Sequence, residues 1–186
     1  MISCLLTLAL LGEPKIVTRQ EWGARPPMIQ HKRHWPVKLT IHYTGVPQKP
    51  EVSLEQKLKN LQLWCQREDK LASGKTKPAW PDIPYHYYIS VDGRIGECRE
   101  PIYVGDTNTE YDPTGHLLVV VEADDKSEIT EAEKASLREM VVWLAKKWKI
   151  PAEALGTHRD YAKTECPGNI IAGMIPELKQ LIAKSG

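Results

Sequence analysis

Hydrophobic residues recur along the chain with two periods, and the switches between them mark out its elements. In "VKLTIHYTG" (37–45), Val37, Leu39 and Ile41 alternate with Lys38, Thr40 and His42, which predicts a strand. Ser53 and Gln56 then form an S-x-x-Q capping box, with Leu54, Leu58, Leu61 and Cys65 along one helical face. "YHYYISVDGRIGEC" (85–98) is aromatic and β-branched around Asp92-Gly93, which predicts a hairpin with a two-residue turn. "HLLVVVEA" (116–123) is almost continuously apolar, the pattern of a strand covered on both faces. Thr130 and Glu133 form a second capping box before Leu137, Met140, Val141, Leu144 and Trp148, and Pro151 stops that helix. A last short helix is expected from about Pro176, at a first-turn position, to Lys184.

Strands alternating with helices predict an α/β fold: a single domain with a central mixed β-sheet flanked by helices. The 186 residues suit one core, since single domains run to about 100–200 residues. The opening "MISCLLTLALLG" is shorter than the roughly 20 residues that span a bilayer, so no integral membrane span is expected. It reads as the apolar part of a secretory signal, although no Lys or Arg precedes it and no A-x-A-like site follows; a hydrophobic N-terminal strand is the alternative. Residues 1–13 are therefore set apart from a domain at 14–186, and the protein is expected to be secreted or in the cell envelope. Lys and Arg number 25 against 24 Asp and Glu, scattered along the chain, which excludes the concentrated positive field that nucleic acid requires. Cys4, Cys65, Cys98 and Cys166 form no C-x-x-C pair; an exported chain could join Cys65 to Cys98, but two buried free thiols are the favoured reading.

The chemistry gathers in "GTHRDYAKTECPG" (156–168), where His158 and Cys166 lie in a loop and Pro167-Gly168 marks a turn. Zinc takes imidazole nitrogen and thiolate sulfur in a tetrahedral shell, and a catalytic site leaves one of four positions to water. His42, near the end of its strand and opposite the apolar residues, is the natural third ligand.

"RQEWGARPP" (19–27), "LTIHYTG" (39–45), "WPDIPYHYYISVDGRI" (80–95) and "GTHRDYAKTECPG" follow one another in the order of a known family. From about residue 16 to the C-terminus the chain resembles the zinc-dependent N-acetylmuramoyl-L-alanine amidases of the type 2 superfamily, which includes peptidoglycan recognition proteins and phage lysozyme-type amidases. The resemblance implies Zn2+ held by His42, His158 and Cys166, Tyr85 beside the metal-bound water, and Thr164 helping to hold the substrate carbonyl oxygen. Non-enzymatic recognition proteins of the family usually carry serine where Cys166 stands, so the cysteine favours catalysis. Pro84 replaces a common glycine next to Tyr85. Some intracellular relatives use a glutamate on the strand matching 117–122; the aligned residue is Val120, with Glu122 two positions on.

The resemblance implies hydrolysis of the amide between the lactyl group of N-acetylmuramic acid and L-alanine, by a monomer acting on peptidoglycan or muramyl peptide fragments. The alternatives are a module that binds peptidoglycan without cutting it, and a closed structural zinc site in an unrelated enzyme, for which no fourth ligand is evident. His31 and His34 read as a solvated basic loop and His86 as packing. The long polar stretch "GDTNTEYDPTGH" is expected to meet substrate. Arg159 and Asp160 could orient the metal ligands from outside, Asp160 equally serving as a turn residue.

Overall fold

The strand His116–Val121 is buried along its whole length and forms the centre of the sheet. The structure, a computed structural model, describes residues 12–71 and 74–185. In chain order the elements are β1 (Ile16–Val17), β2 (Lys38–Tyr43), α1 (Leu54–Cys65), β3 (Asp69–Lys70), β4 (Thr76–Lys77), β5 (Tyr87–Ile89), β6 (Ile95–Glu97), β7 (His116–Val121), α2 (Glu131–Trp148), β8 (Leu155–Thr157) and α3 (Gly168–Ser185). The main sheet runs β1-β6-β5-β7-β2-β8, and β3 and β4 make a separate hairpin. Only β5 and β6 pair antiparallel within the main sheet, so it is mixed. The fold is the α/β domain that the sequence predicts.

Register decides what each face carries. His42 lies opposite Val120, and Val120 opposite Tyr88, so these three share one face. Ile41, Val119 and Tyr87 point the other way, into a core completed by α2 and α3. On the His42 face, α1 packs Leu54 and Leu58 against Val120, Tyr88 and Trp22. Gly96 permits this approach: a Cβ there would stand 2.5 Å from a Leu58 methyl.

Both capping residues work as expected. Thr130 and Glu133 exchange bonds in a complete capping box, while Ser53 accepts from Gln56 N. The Gln56 side chain bonds Asn60 instead of returning to the cap. Two local expectations change. The β5–β6 turn includes Val91 as well as Asp92-Gly93, because Ser90 N and Arg94 O still pair and Gly93 takes φ 81°. Helix α3 begins at Gly168, with Pro176 inside it. Ile171, Met174, Leu178 and Ile182 are all buried on one stripe, and the helix tolerates the bond that Pro176 cannot donate to the fourth preceding carbonyl. Two-residue β1 and three-residue β8 are edge strands without a visible alternation.

Cys65, Cys98 and Cys166 are free; burial pushes the Cys65 thiol up to about 12 and that of Cys98 well up too. Residues 1–11, most of the signal-like segment, and Cys4 with them, lie outside the described residues. No described helix is long and apolar enough to cross a membrane.

Candidate metal centre and the cleft beside it

His42 projects from the penultimate position of β2, on the face away from the α2–α3 core. β8 pairs parallel to β2 with Thr157 opposite Ile41, and His158 follows at the start of a short 3-10 turn. The edge strand thus delivers the second imidazole beside the first, with ring centroids 4.6 Å apart. Cys166 comes from the turn before α3; its Sγ lies 3.7 Å from His42 Nδ1 and accepts the Tyr43 N–H at 3.3 Å. One ligand atom from each of His42, His158 and Cys166 falls within 4.8 Å of the others.

Burial sets the protonation of this group. Desolvation holds His42 well below the ordinary imidazole range, reinforced by the charges of His158, His116 and His86. It lowers His158 to about 4 and pushes the Cys166 thiol up to about 12, the latter against the Tyr43 N–H. At neutral pH the metal-free centre is therefore two neutral imidazoles and a thiol. Two borderline nitrogens and one soft sulfur suit zinc, and among the described residues no carboxylate joins them to favour a harder cation.

Tyr85 packs its ring 5.3 Å from that of His42, so Pro84 does not carry it away from the centre. Burial first, and the nearby Cys166 second, raise its hydroxyl far above the phenol range, so it is a neutral donor. Thr164 is engaged locally: its hydroxyl accepts Cys166 N at 3.2 Å and closes the turn presenting the cysteine. Asp160 accepts the Thr157 N–H and hydroxyl, while Arg159 bonds Asn169 and the Glu165 carbonyl. Those contacts shape the loop and do not touch a ligand ring. Val120 is apolar beside His42, and Glu122 lies outside the cluster.

The expectation of a solvated loop for His34 is corrected. Its Nδ1 accepts Gly115 N–H at 2.7 Å and its Nε2 bonds the Pro101 carbonyl at 3.0 Å, which ties three loops together. His31 is half-buried against Tyr103. His86 packs as expected, accepting from Leu118 N and bonding the Tyr103 carbonyl. The residues not singled out from sequence are Thr109 and Tyr111. Thr109 Oγ1 lies 2.7 Å from His158 Nε2, and the Tyr111 hydroxyl 3.4 Å from His42 Nε2.

A cleft of about 480 Å³ opens beside Tyr85 and Thr44. Leu61, Trp64, Leu71 and Trp80 line it, and the buried Lys57 and Glu122 lie beneath its lining. The Lys77 ammonium sits 4.8 Å from each indole centroid and donates to the carbonyls of Cys65, Arg67 and Pro78. A buried cation thus caps the end of α1 and fixes the far wall.

The sequence profile of the N-acetylmuramoyl-L-alanine amidase family matches residues 32–169. The chain belongs to that family. Peptidoglycan-recognition protein SD of Drosophila melanogaster is 27% identical over 186 residues, covering 95% of this chain and 92% of the relative. Its crystal structure superimposes with a TM-score of 0.73 at 24% identity, over 89% of this chain and 95% of that one. The human N-acetylmuramoyl-L-alanine amidase is 28% identical across 91% of this chain, which spans only 29% of that protein's length. The amidase LysC of Clostridium intestinale shares the fold with a TM-score of 0.70 at 24% identity, covering 92% and 99% of the two chains. Family members thus bear names of both recognition proteins and amidases, and this chain carries a His-His-Cys cluster that could hold a metal.

Proposed function

We propose that this family member is a zinc-dependent amidase that hydrolyses the bond between N-acetylmuramic acid and the L-alanine of the peptide stem. The observation that carries the proposal is the convergence of His42, His158 and Cys166 within 4.8 Å, with Tyr85 packed against the centre. Zinc held there would supply Lewis acidity toward the amide carbonyl and lower the pKa of a water to near 7. Cys166 would give up its thiol proton on binding such a metal, which suits it to be a ligand and not a nucleophile.

Tyr85 keeps its proton at neutral pH, so it acts as a hydrogen-bond donor to the oxygen that gains charge as the carbonyl becomes tetrahedral. Thr164 contributes by holding Cys166 in place, since its hydroxyl already bonds the Cys166 backbone. The cleft takes the peptide stem along an apolar wall, placing the scissile amide at its Tyr85 end. The proposal includes a monomer acting outside the cytoplasm on peptidoglycan or its muramyl peptides.

The match to peptidoglycan-recognition protein SD over nearly the whole length of both chains favours a second reading, in which the cleft binds peptidoglycan without cutting it. Mass spectrometry of a defined muramyl-pentapeptide separates the two. Release of free pentapeptide by zinc-loaded protein, and not by chelator-stripped protein or Cys166→Ser, is the expected result. Intact ligand bound by folded, zinc-loaded protein would establish the recognition reading for that stem.

A further inference from the structure

The loop between β6 and β7 lays two hydroxyls against the metal histidines. Thr109 Oγ1 is 2.7 Å from His158 Nε2, a distance that leaves no space for a metal ion at about 2.0 Å from that nitrogen. Nδ1 is then the nitrogen His158 has free. At His42, Nδ1 faces Cys166 Sγ at 3.7 Å and Nε2 faces the Tyr111 hydroxyl at 3.4 Å. Both rings therefore turn the same edge toward a hydroxyl of one loop.

That loop is itself held. Thr109 Oγ1 lies 2.7 Å from Thr107 Oγ1, which also accepts Thr109 N–H at 3.1 Å. Thr109 can accept from His158 and pass its own proton to Thr107, leaving the chain of bonds complete. Tyr111 stacks on Tyr161 at 5.7 Å and meets His116, whose Nδ1 bonds Thr40 at 2.8 Å.

We infer that Thr109 and Tyr111 are positioning residues for the metal centre. Their hydroxyls accept the Nε2 protons of His158 and His42, fixing each ring and leaving both Nδ1 lone pairs for the metal. The inference rests on the zinc reading of the three ligands, and it gives the polar loop a role at the metal beside the substrate contact expected from its sequence, for which Asn108 lies in the cleft lining. A neutral imidazole has one proton to place, and an acceptor at Nε2 favours the tautomer that a metal at Nδ1 requires.

The test reads the metal and not turnover. Zinc affinity of the purified, metal-free protein is measured by competition with a chromophoric chelator for wild type, Thr109→Val, Thr109→Ser and Tyr111→Phe. Thr109→Val is expected to bind zinc about 10–100-fold more weakly, Thr109→Ser to stay close to wild type, and Tyr111→Phe to show a smaller loss. Long-range ¹H–¹⁵N spectra of zinc-loaded wild type should show both imidazoles protonated at Nε2, a readout that depends on no variant folding. Wild-type zinc affinity in both Thr109→Val and Tyr111→Phe, metal-bound Nε2 in either ring, or no zinc binding by wild type would overturn the inference. Zinc binding is read without substrate. A protein that binds zinc through Nδ1 yet leaves the amide intact keeps this inference and loses the amidase proposal; an active enzyme with Nε2 ligation does the reverse.

Discussion

Replacing Lys57 with methionine should destabilise the protein by about 3 kcal/mol, because it strands a buried carboxylate. Lys57 Nζ lies 2.8 Å from Glu122 Oε2 and 3.0 Å from Ser90 Oγ, and the two charged side chains are 7% and 3% exposed. Breaking a buried pair by removing one partner costs about 3–5 kcal/mol, most of it the uncompensated charge left behind. Glu122 would retain Lys49 N, Ser90 Oγ and Val91 N as donors, which places the expected loss at the lower end of that range. Urea unfolding followed by tryptophan fluorescence measures it, with the slope against denaturant checked for two-state behaviour. Adding Glu122→Gln to Lys57→Met should recover part of the loss, since the second change removes the stranded charge. A Lys57→Met loss under about 1 kcal/mol, the range of solvated surface pairs, would refute the reasoning. Failure of Glu122→Gln to restore stability would refute the assigned cause. On the proposed amidase mechanism the double variant should also raise KM more than it lowers kcat, because glutamine has one acceptor oxygen for the donors that Glu122 divides between Lys49 N, Ser90 Oγ and Val91 N, which loosens Lys49 in the cleft lining.

Two further outcomes follow from the buried groups around the candidate metal centre. On the proposed amidase mechanism, Tyr85→Phe removes one donor to the developing oxyanion and is expected to lower kcat by about 10²–10³ while zinc affinity holds; unchanged turnover would take Tyr85 out of the chemistry. Burial lowers His86 to about 3 and His116 and His158 to about 4 in the folded metal-free protein. Through these three histidines alone the unfolded chain binds about three more protons near pH 5, which lowers stability by roughly 4 kcal/mol per pH unit there, and buried His42 adds to the loss in the same direction. The stabilisation is present above the unfolded histidine pKa of about 6.5 and is lost as pH falls through the folded values. Urea midpoints of the metal-free protein that do not change from pH 6.5 to 4.5 would contradict these depressed values.

Much of the fold could be read where a periodic pattern meets a buried surface. β7 is apolar at nearly every position because it is covered on both faces, and α2 announces itself through a capping box and a regular stripe. The parity of β2 placed His42 on the face opposite Ile41 before any tertiary contact was known. Strand β8 escaped because three residues cannot show an alternation, although it is the element that carries His158 into reach of His42. The start of α3 escaped because Pro176 fits a helix start, while the stripe Ile171, Met174, Leu178 and Ile182 already ran through it. Thr109 and Tyr111 left no periodic trace at all. Their contacts depend on how a loop of ordinary polar composition folds back over residues far away in the chain.

The cleft was less visible than the metal centre, for a reason lodged in Lys57. In a helix beginning at Leu54, residues 54, 57, 58 and 61 share one face, so helical phase puts Lys57 among Leu54, Leu58 and Leu61. Lys59, two positions on, is exposed, whereas Lys57 is buried. A lysine on an apolar helical face needs a partner, because an isolated buried ammonium is too costly to keep. Glu122, directly after the uninterrupted apolar run of β7, is the carboxylate placed to answer it. Each residue on its own looks like an ordinary surface charge interrupting a pattern. Together, two charges of opposite sign set into two apolar faces that must pack on one another predict a buried pair. This pair holds Lys49 at the rim of the same cleft that reaches Tyr85.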